Sequence, residues 1–191
     1  MRRKVERLNN VVCPWWLIRL FDNPLRRLLH NPDQILAGLV LPGQTVLDIG
    51  CGIGYFTVPL ARFVGPQGRV IAVDLQEEML AGVRRRAERA GVLARIHLHR
   101  AMPGQIGLDE VVDFALAFWM AHEVPGKEAF FWEIHALLKP AGQLLLVEPV
   151  IHVSAAAFER TVAIATAAGL RAATPVPIRI SRAALLAHAG E

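Results

Sequence analysis

Cysteine is nearly missing. Cys13 and Cys51 are the only two among 191 residues, which rules out a disulfide framework and suits a reducing cytoplasm. No apolar run approaches the roughly 18 residues a membrane-spanning helix needs, although 53% of the chain is hydrophobic. A secretory leader is not expected. Met1-Arg2-Arg3-Lys4 is basic, but Glu6, Asn9 and Asn10 lie just beyond it, Pro14 breaks the short apolar stretch and no small-residue cleavage site appears. Repeats, low-complexity segments and signs of a second domain are also missing. The positive mean hydropathy excludes disorder, and the length suits one domain with a full core.

Charge is unevenly spread. Residues 1–30 carry seven basic side chains against Glu6 and Asp22, a balance of +5, so with a net charge of +4 the other 161 residues sum to −1. A polynucleotide enzyme would carry positive charge around its cleft as well, so no nucleic-acid partner is expected.

Strands and helices alternate along the rest. Asn31-Pro32-Asp33 reads as a helix cap with proline at the first helical position, opening a helix to about Val40. Strands are expected in the apolar run from Val46 that ends before the glycines, at Arg69 to Asp74, around Ile96 and Leu98, from Val112 to Phe118 and from Gln143 to Val147. Helices are expected at 55–64, 76–90, 126–138 and 155–168, with Lys139-Pro140-Ala141-Gly142 as a turn. The tail from Leu170 to Ala187 fits two strands or a strand and a helix. Such alternation implies βαβ units, a mostly parallel sheet and helices on both faces. Ligands then bind beyond the carboxyl ends of the strands.

The most informative stretch is Val46-Leu47-Asp48-Ile49-Gly50-Cys51-Gly52-Ile53-Gly54. It reads as a strand, a tight loop and a helix start whose free amides favour polar ligand groups. A dinucleotide fingerprint would place its third glycine at position 55, which is Tyr55. Asp48 beside a pyrophosphate would repel it, whereas a cationic sulfonium and ammonium suit it. Asp74, twenty residues after Gly54, stands at the next strand end, where a carboxylate can accept from both ribose hydroxyls. Cys51, between glycines, fills space where a small residue is needed.

These residues, with Ala72-Val73-Asp74-Leu75 and the run Leu138 to Pro149, resemble the class I S-adenosylmethionine-dependent methyltransferases over roughly residues 34–149. The resemblance implies an α/β, Rossmann-like, doubly wound seven-stranded sheet, mostly parallel with an antiparallel last strand made from the tail. It implies S-adenosylmethionine as cofactor and S-adenosylhomocysteine as product. Gly50, Gly52 and Gly54 would line the methionine side with Asp48, Asp74 would hold the ribose, Leu75 would pack on adenine, and Phe118 would border the methionine moiety through its backbone. Many relatives place an aspartate after the third strand to accept from the adenine amino group. This chain has Arg100 there, which cannot accept, leaving a backbone carbonyl or apolar packing from Leu75, Ala101 and Met102.

For catalysis His122 is the preferred base, because an unperturbed imidazole titrates near neutrality; packing under the next helix is the plainer alternative. Glu148 reads as a structural hydrogen-bond partner. Trp119, Glu123 and His152 are candidate substrate contacts. His97 and His99 share a strand face, but no third ligand is near and no metal is expected.

The division expected is a basic aromatic arm over residues 1–30 and a methyltransferase domain over 31–191. Trp15 and Trp16, interleaved with Arg19 and followed by Arg26 and Arg27, suit a lid over an apolar substrate, a membrane-surface contact, or packing on the sheet or on another copy of the chain in a homo-oligomer. The resulting expectation is a cytoplasmic enzyme moving a methyl group to a small, apolar or amphipathic acceptor. A cofactor-binding regulator without turnover and an NAD-dependent oxidoreductase are the alternatives.

Overall fold

A computed structural model describes residues 26–189. Seven strands form one sheet: β1 (Thr45–Ile49), β2 (Arg69–Asp74), β3 (Ile96–Arg100), β4 (Val112–Phe118), β5 (Leu138–Pro149), β6 (Leu170–Pro175) and β7 (Ser181–His188). Their order is β3-β2-β1-β4-β5-β7-β6. β7 runs antiparallel to both its neighbours, and every other pairing is parallel. The doubly wound, mostly parallel sheet expected from the sequence is therefore present, and the tail supplies two strands rather than a strand and a helix.

Alternation along the strands divides the core into two layers. Val46, Val70, Ala72, Phe114, Leu116, Leu145 and Val147 face one side. There they meet α2 (Pro32–Leu36), α3 (Thr57–Phe63) and α4 (Glu77–Arg89). Leu47, Ile49, Ile71, Val73, Ala115, Ala117, Leu144 and Leu146 face the other, against α5 (Lys127–Leu137) and α6 (Ala155–Ala167). A short α1 (Arg26–Leu29) precedes them. Asn31 caps α2 through its side chain, which accepts from Asp33 N–H at 3.0 Å.

Boundaries depart from expectation where tertiary contacts outweigh local signals. α2 stops at Leu36 instead of reaching Val40, and a turn bonded to the Leu36 carbonyl takes over. α3 begins at Thr57, because the glycine loop extends to Phe56. Lys139-Pro140-Ala141-Gly142 is not a turn but the start of β5. Leu138 pairs with Val112, a register irregularity follows, and Lys139 Nζ is 2.8 Å from Asp113 Oδ1. The proline is tolerated because it falls on that irregularity, where no ladder donor is needed.

Gly82 shows how α4 is seated. A Cβ at this position would lie 2.8 Å from Ile53 Cγ2, inside the glycine loop. Alanine would gain about 1 kcal/mol in a free helix, but here Gly82→Ala is expected to cost about 1–3 kcal/mol by overpacking. A lowered thermal midpoint checks this; an unchanged or raised one contradicts it.

Candidate active site

The carboxyl ends of β1, β2 and β4 meet at the glycine loop. Gly50, Gly52 and Gly54 have φ of 66°, 54° and 86°, a region that L side chains rarely enter. At Gly50 space is a second constraint: a Cβ would lie 2.8 Å from Met120 Cγ. Gly54 turns toward α4, where a Cβ would touch Val83 at 3.4 Å. Cys51 N–H donates to the Val73 carbonyl at 3.0 Å, pinning the loop to β2. Gly52 N–H donates to Asp74 Oδ2 and Gln76 N–H to Asp74 Oδ1, each at 3.0 Å. Burial pushes the Asp74 carboxyl up from its ordinary range, and the amides of Gln76, Gly52 and Leu75 oppose that rise.

Beside the loop lies a cavity of about 360 Å³, within the range of small-molecule sites. Gly50, Asp74, Leu75, Ala101 and Met102 line one part of it, and Trp119, Met120, Glu123 and Phe130 another. Most of its surface is apolar. Gln76, Met79, Pro103, Ile106 and Met120 join the lining without any signal in the sequence beyond their nearness to strand ends. Arg100 does not line this cavity; its Nη1 lies 3.4 Å from Glu77 on the surface.

Asp48 departs from the expected placement. Its side chain lies beneath the loop rather than in the cavity wall, 3% exposed, and Oδ2 accepts from the Thr57 hydroxyl at 2.6 Å. Burial pushes its pKa up to about 7, with Thr57 opposing and Asp74 adding to the rise. In this setting it braces β1 against α3. Phe118 is packed in an aromatic cluster, 4.4 Å from the Phe56 ring centroid and 5.2 Å from His30.

A second polar group forms where β4 and β5 end. Glu148, 1% exposed, accepts through Oε2 from His122 Nδ1 at 2.5 Å. Its Oε1 is buried without a hydrogen-bond partner among the described residues. The bond to Glu148 raises the His122 pKa; burial and Lys127 oppose this, and the charges of Glu148 and Glu123 reinforce it. His152 stacks on His122 with ring centroids 5.8 Å apart. The structure thus brings His122, His152 and Glu148 together beside Glu123, which lines the cavity. Trp15 and Trp16 lie outside the described residues.

Sequence reasoning missed His30. It is buried, its Nε2–H donates to the Arg179 carbonyl at 3.0 Å, and its ring meets Trp119 edge-on at 4.8 Å. Burial lowers its pKa, and the charge of Arg26 lowers it further against the Arg179 hydrogen bond. The ring is held neutral against the cavity wall. Nothing local around His30 signals this.

A family described as methyltransferase domain matches residues 46–142, half of the chain. The chain belongs to that family. Among relatives, the ubiquinone/menaquinone biosynthesis C-methyltransferase UbiE of Vibrio campbellii is 32% identical over 108 residues, 56% of this chain and 42% of that protein. UbiE of Enterobacter sp. is 32% identical over 107 residues, covering 56% and 43%. The chain thus spans less than half the length of these curated relatives. A crystal structure of an S-adenosylmethionine-dependent methyltransferase from Aquifex aeolicus superposes with a TM-score of 0.84 at 25% identity, covering 93% of this chain and all of that one.

The Aquifex aeolicus protein is named as S-adenosylmethionine-dependent, and the residues present in this chain fit that cofactor. Asp74 offers a carboxylate at the cavity edge, and most of the lining beyond it, from Leu75 to Ile106, is apolar. Among the described residues, no lysine or arginine lines the cavity. Nor do any three His, Cys, Asp or Glu side chains among them group as a metal site.

Asp74→Ala removes the ribose partner, and S-adenosylmethionine affinity by calorimetry should fall roughly a hundred-fold, the worth of two charged hydrogen bonds. Asp48 holds its proton in the folded state up to about pH 7 but loses it near 4 when unfolded. Between those limits the folded state binds more protons, so this group lowers stability as pH rises. Asp48→Asn keeps an acceptor for Thr57 and should flatten that decline in a thermal-melt series.

Proposed function

We propose that this chain is a cytoplasmic methyltransferase acting on a small, apolar or amphipathic acceptor held against Trp119, Met120 and Glu123, with His122 as the base. The observation that carries this reading is the cavity itself. Its Asp74–Leu75 end suits a nucleoside, its Trp119–Phe130 end is mostly apolar, and His122, bonded to the buried Glu148, lies outside the lining with Nε2 3.9 Å from Oε1 of Glu123, which does line it. The relatives named as quinone-biosynthesis C-methyltransferases support an acceptor of this character.

When bound, S-adenosylmethionine supplies both the electrophilic methyl group and its leaving group. The protein's share is orientation, exclusion of water and proton removal. Trp119, Met120 and Phe130 provide a dry wall. Glu148 accepts the Nδ1 proton of His122, which sets the tautomer and leaves the Nε2 lone pair to receive a proton from the acceptor. The buried carboxylate also stabilises the imidazolium that results. Asp74 and the loop amides hold the nucleoside end while this occurs.

Release of S-adenosylhomocysteine only in the presence of an acceptor distinguishes this enzyme from a cofactor-binding protein without turnover. His122→Ala should lower kcat by about 10²–10⁴ with little change in cofactor affinity. His122 must be neutral to act, and its pKa is raised, so activity should climb with pH along a limb lying above the ordinary 6.5. Glu148→Gln removes the main cause of the rise, moving that limb to lower pH while reducing the maximal rate. Identical pH–rate profiles in the two proteins would remove His122 from the chemistry.

A further inference from the structure

At the carboxyl end of the sheet, aliphatic side chains from three separate segments stand in solvent. Leu28 and Leu29 belong to α1, Val150 and Ile151 follow β5, and Ile180 tips the turn between β6 and β7. Leu28 is 71% exposed, Ile151 77% and Ile180 48%. The segments are neighbours: Val150 N–H donates to the Ile180 carbonyl at 3.1 Å, and Arg179 Nη1 lies 3.5 Å from the Leu28 carbonyl. They also border the active site. Ser181, next to Ile180, accepts from Trp119 Nε1–H at 3.0 Å, and His152, next to Ile151, stacks on His122. A clustered apolar rim of this kind marks an interaction surface, where scattered exposed leucines would not.

Ile180 supplies an independent sign. Its φ is +48°, a strained outlier for a β-branched residue. Glycine or asparagine would hold the same turn without that strain. The turn therefore keeps a large aliphatic side chain at its outer tip against its own conformational preference.

Charge identifies the occupant. Arg27 precedes Leu28, and Arg179 and Arg182 flank Ile180 and Ser181; Arg26 instead stacks over the Tyr55 ring at 4.1 Å, and Arg27 is paired with Asp33 at 2.7 Å. The chain preceding Arg26 adds Arg2, Arg3, Lys4, Arg7 and Arg19 in sequence. Protein-binding patches favour Tyr, Trp, Phe and Met at their centre; the tips here are aliphatic only. We propose that this rim docks on an anionic lipid bilayer, with Leu28, Ile151 and Ile180 below the headgroups and the arginines at phosphate level. Docked in this way, the rim brings the bilayer close to Trp119 and His122, whose partners Ser181 and His152 adjoin Ile180 and Ile151, and this would suit an amphipathic acceptor. That consequence rests on the methyltransferase reading, but the docking does not.

The test is co-sedimentation of the full chain with phosphatidylcholine vesicles containing about one-third phosphatidylglycerol, against vesicles of phosphatidylcholine alone. Binding should favour the anionic vesicles and weaken in high salt. Ile151→Asp should reduce partition about ten-fold or more, the effect of losing one inserted aliphatic side chain. Ile180→Gly should reduce it as well while leaving the thermal midpoint unchanged or raised, because it relieves the backbone strain. S-adenosylmethionine affinity should be unaltered in both variants, so loss of docking is separable from failure of the enzyme reading. The proposal is overturned if wild-type protein ignores anionic vesicles or if both variants bind as wild type does. It is also overturned if light scattering shows a dimer that the variants dissociate, since a second copy would then be the occupant.

Discussion

The turn at residues 50–54 works because its glycines turn hydrogen, and nothing larger, toward their neighbours. Gly50 meets Met120 at a distance no Cβ can share, and Gly54 meets the backbone of α4 at Val83. This closeness brings the strand ends, the loop amides and the β4 extension into contact with a single cavity. From the other side, Gly82 lets Ile53 sit down on α4. The loop is thus gripped on two faces by side chains that glycine alone accommodates, and its conformation is a product of packing as much as of backbone freedom.

Three carboxylates lie near the carboxyl ends of β2, β1 and β5, and their surroundings give them separate tasks. Asp48 is buried with a single hydroxyl partner and stays largely protonated below about pH 7, a brace between β1 and α3. Asp74 is also buried but receives backbone amides from the loop and from Gln76 while lining the cavity. Glu148 faces an imidazole that can share its charge. Burial raises the pKa of both aspartates, and their hydrogen-bond donors oppose the rise. A cationic, phosphate-free ligand is compatible with this end of the sheet, where a pyrophosphate would meet Asp74 without a compensating cation.

Much of this was legible in the chain, for identifiable reasons. The glycine loop, the strand-terminal Asp74 and the alternation of apolar strands with helices are local patterns, and the sheet followed from them. Asp48 was misjudged because spacing reports which strand end a side chain occupies, not the direction it takes; Thr57, nine residues on, captured it. The β5 start was misread because a proline and a glycine signal a turn unless a bulge absorbs them, and that bulge depends on pairing with β4. Glu148 was recognised as a hydrogen-bond partner but not as His122's, since 26 residues separate them. His30 was invisible, because its partners Arg179 and Ser181 lie about 150 residues away.

Among the described residues, only Trp119 and Ile180 combine a side chain with positive φ, at 59° and 48°. Both lie at the same end of the sheet, and a single hydroxyl joins them: Ser181 accepts from the Trp119 indole at 3.0 Å and donates to the carbonyl of Arg179, the residue before Ile180, at 3.1 Å. Trp119 is further held by its own amide on Val147 and by the edge of His30. Strain of this kind persists only where surrounding contacts over-determine it. Here those contacts converge from β5, from the β6–β7 turn and from the segment before α2. Trp119 is thus fixed by contacts from three segments far apart in the chain, with Ser181 and His30 as its side-chain partners.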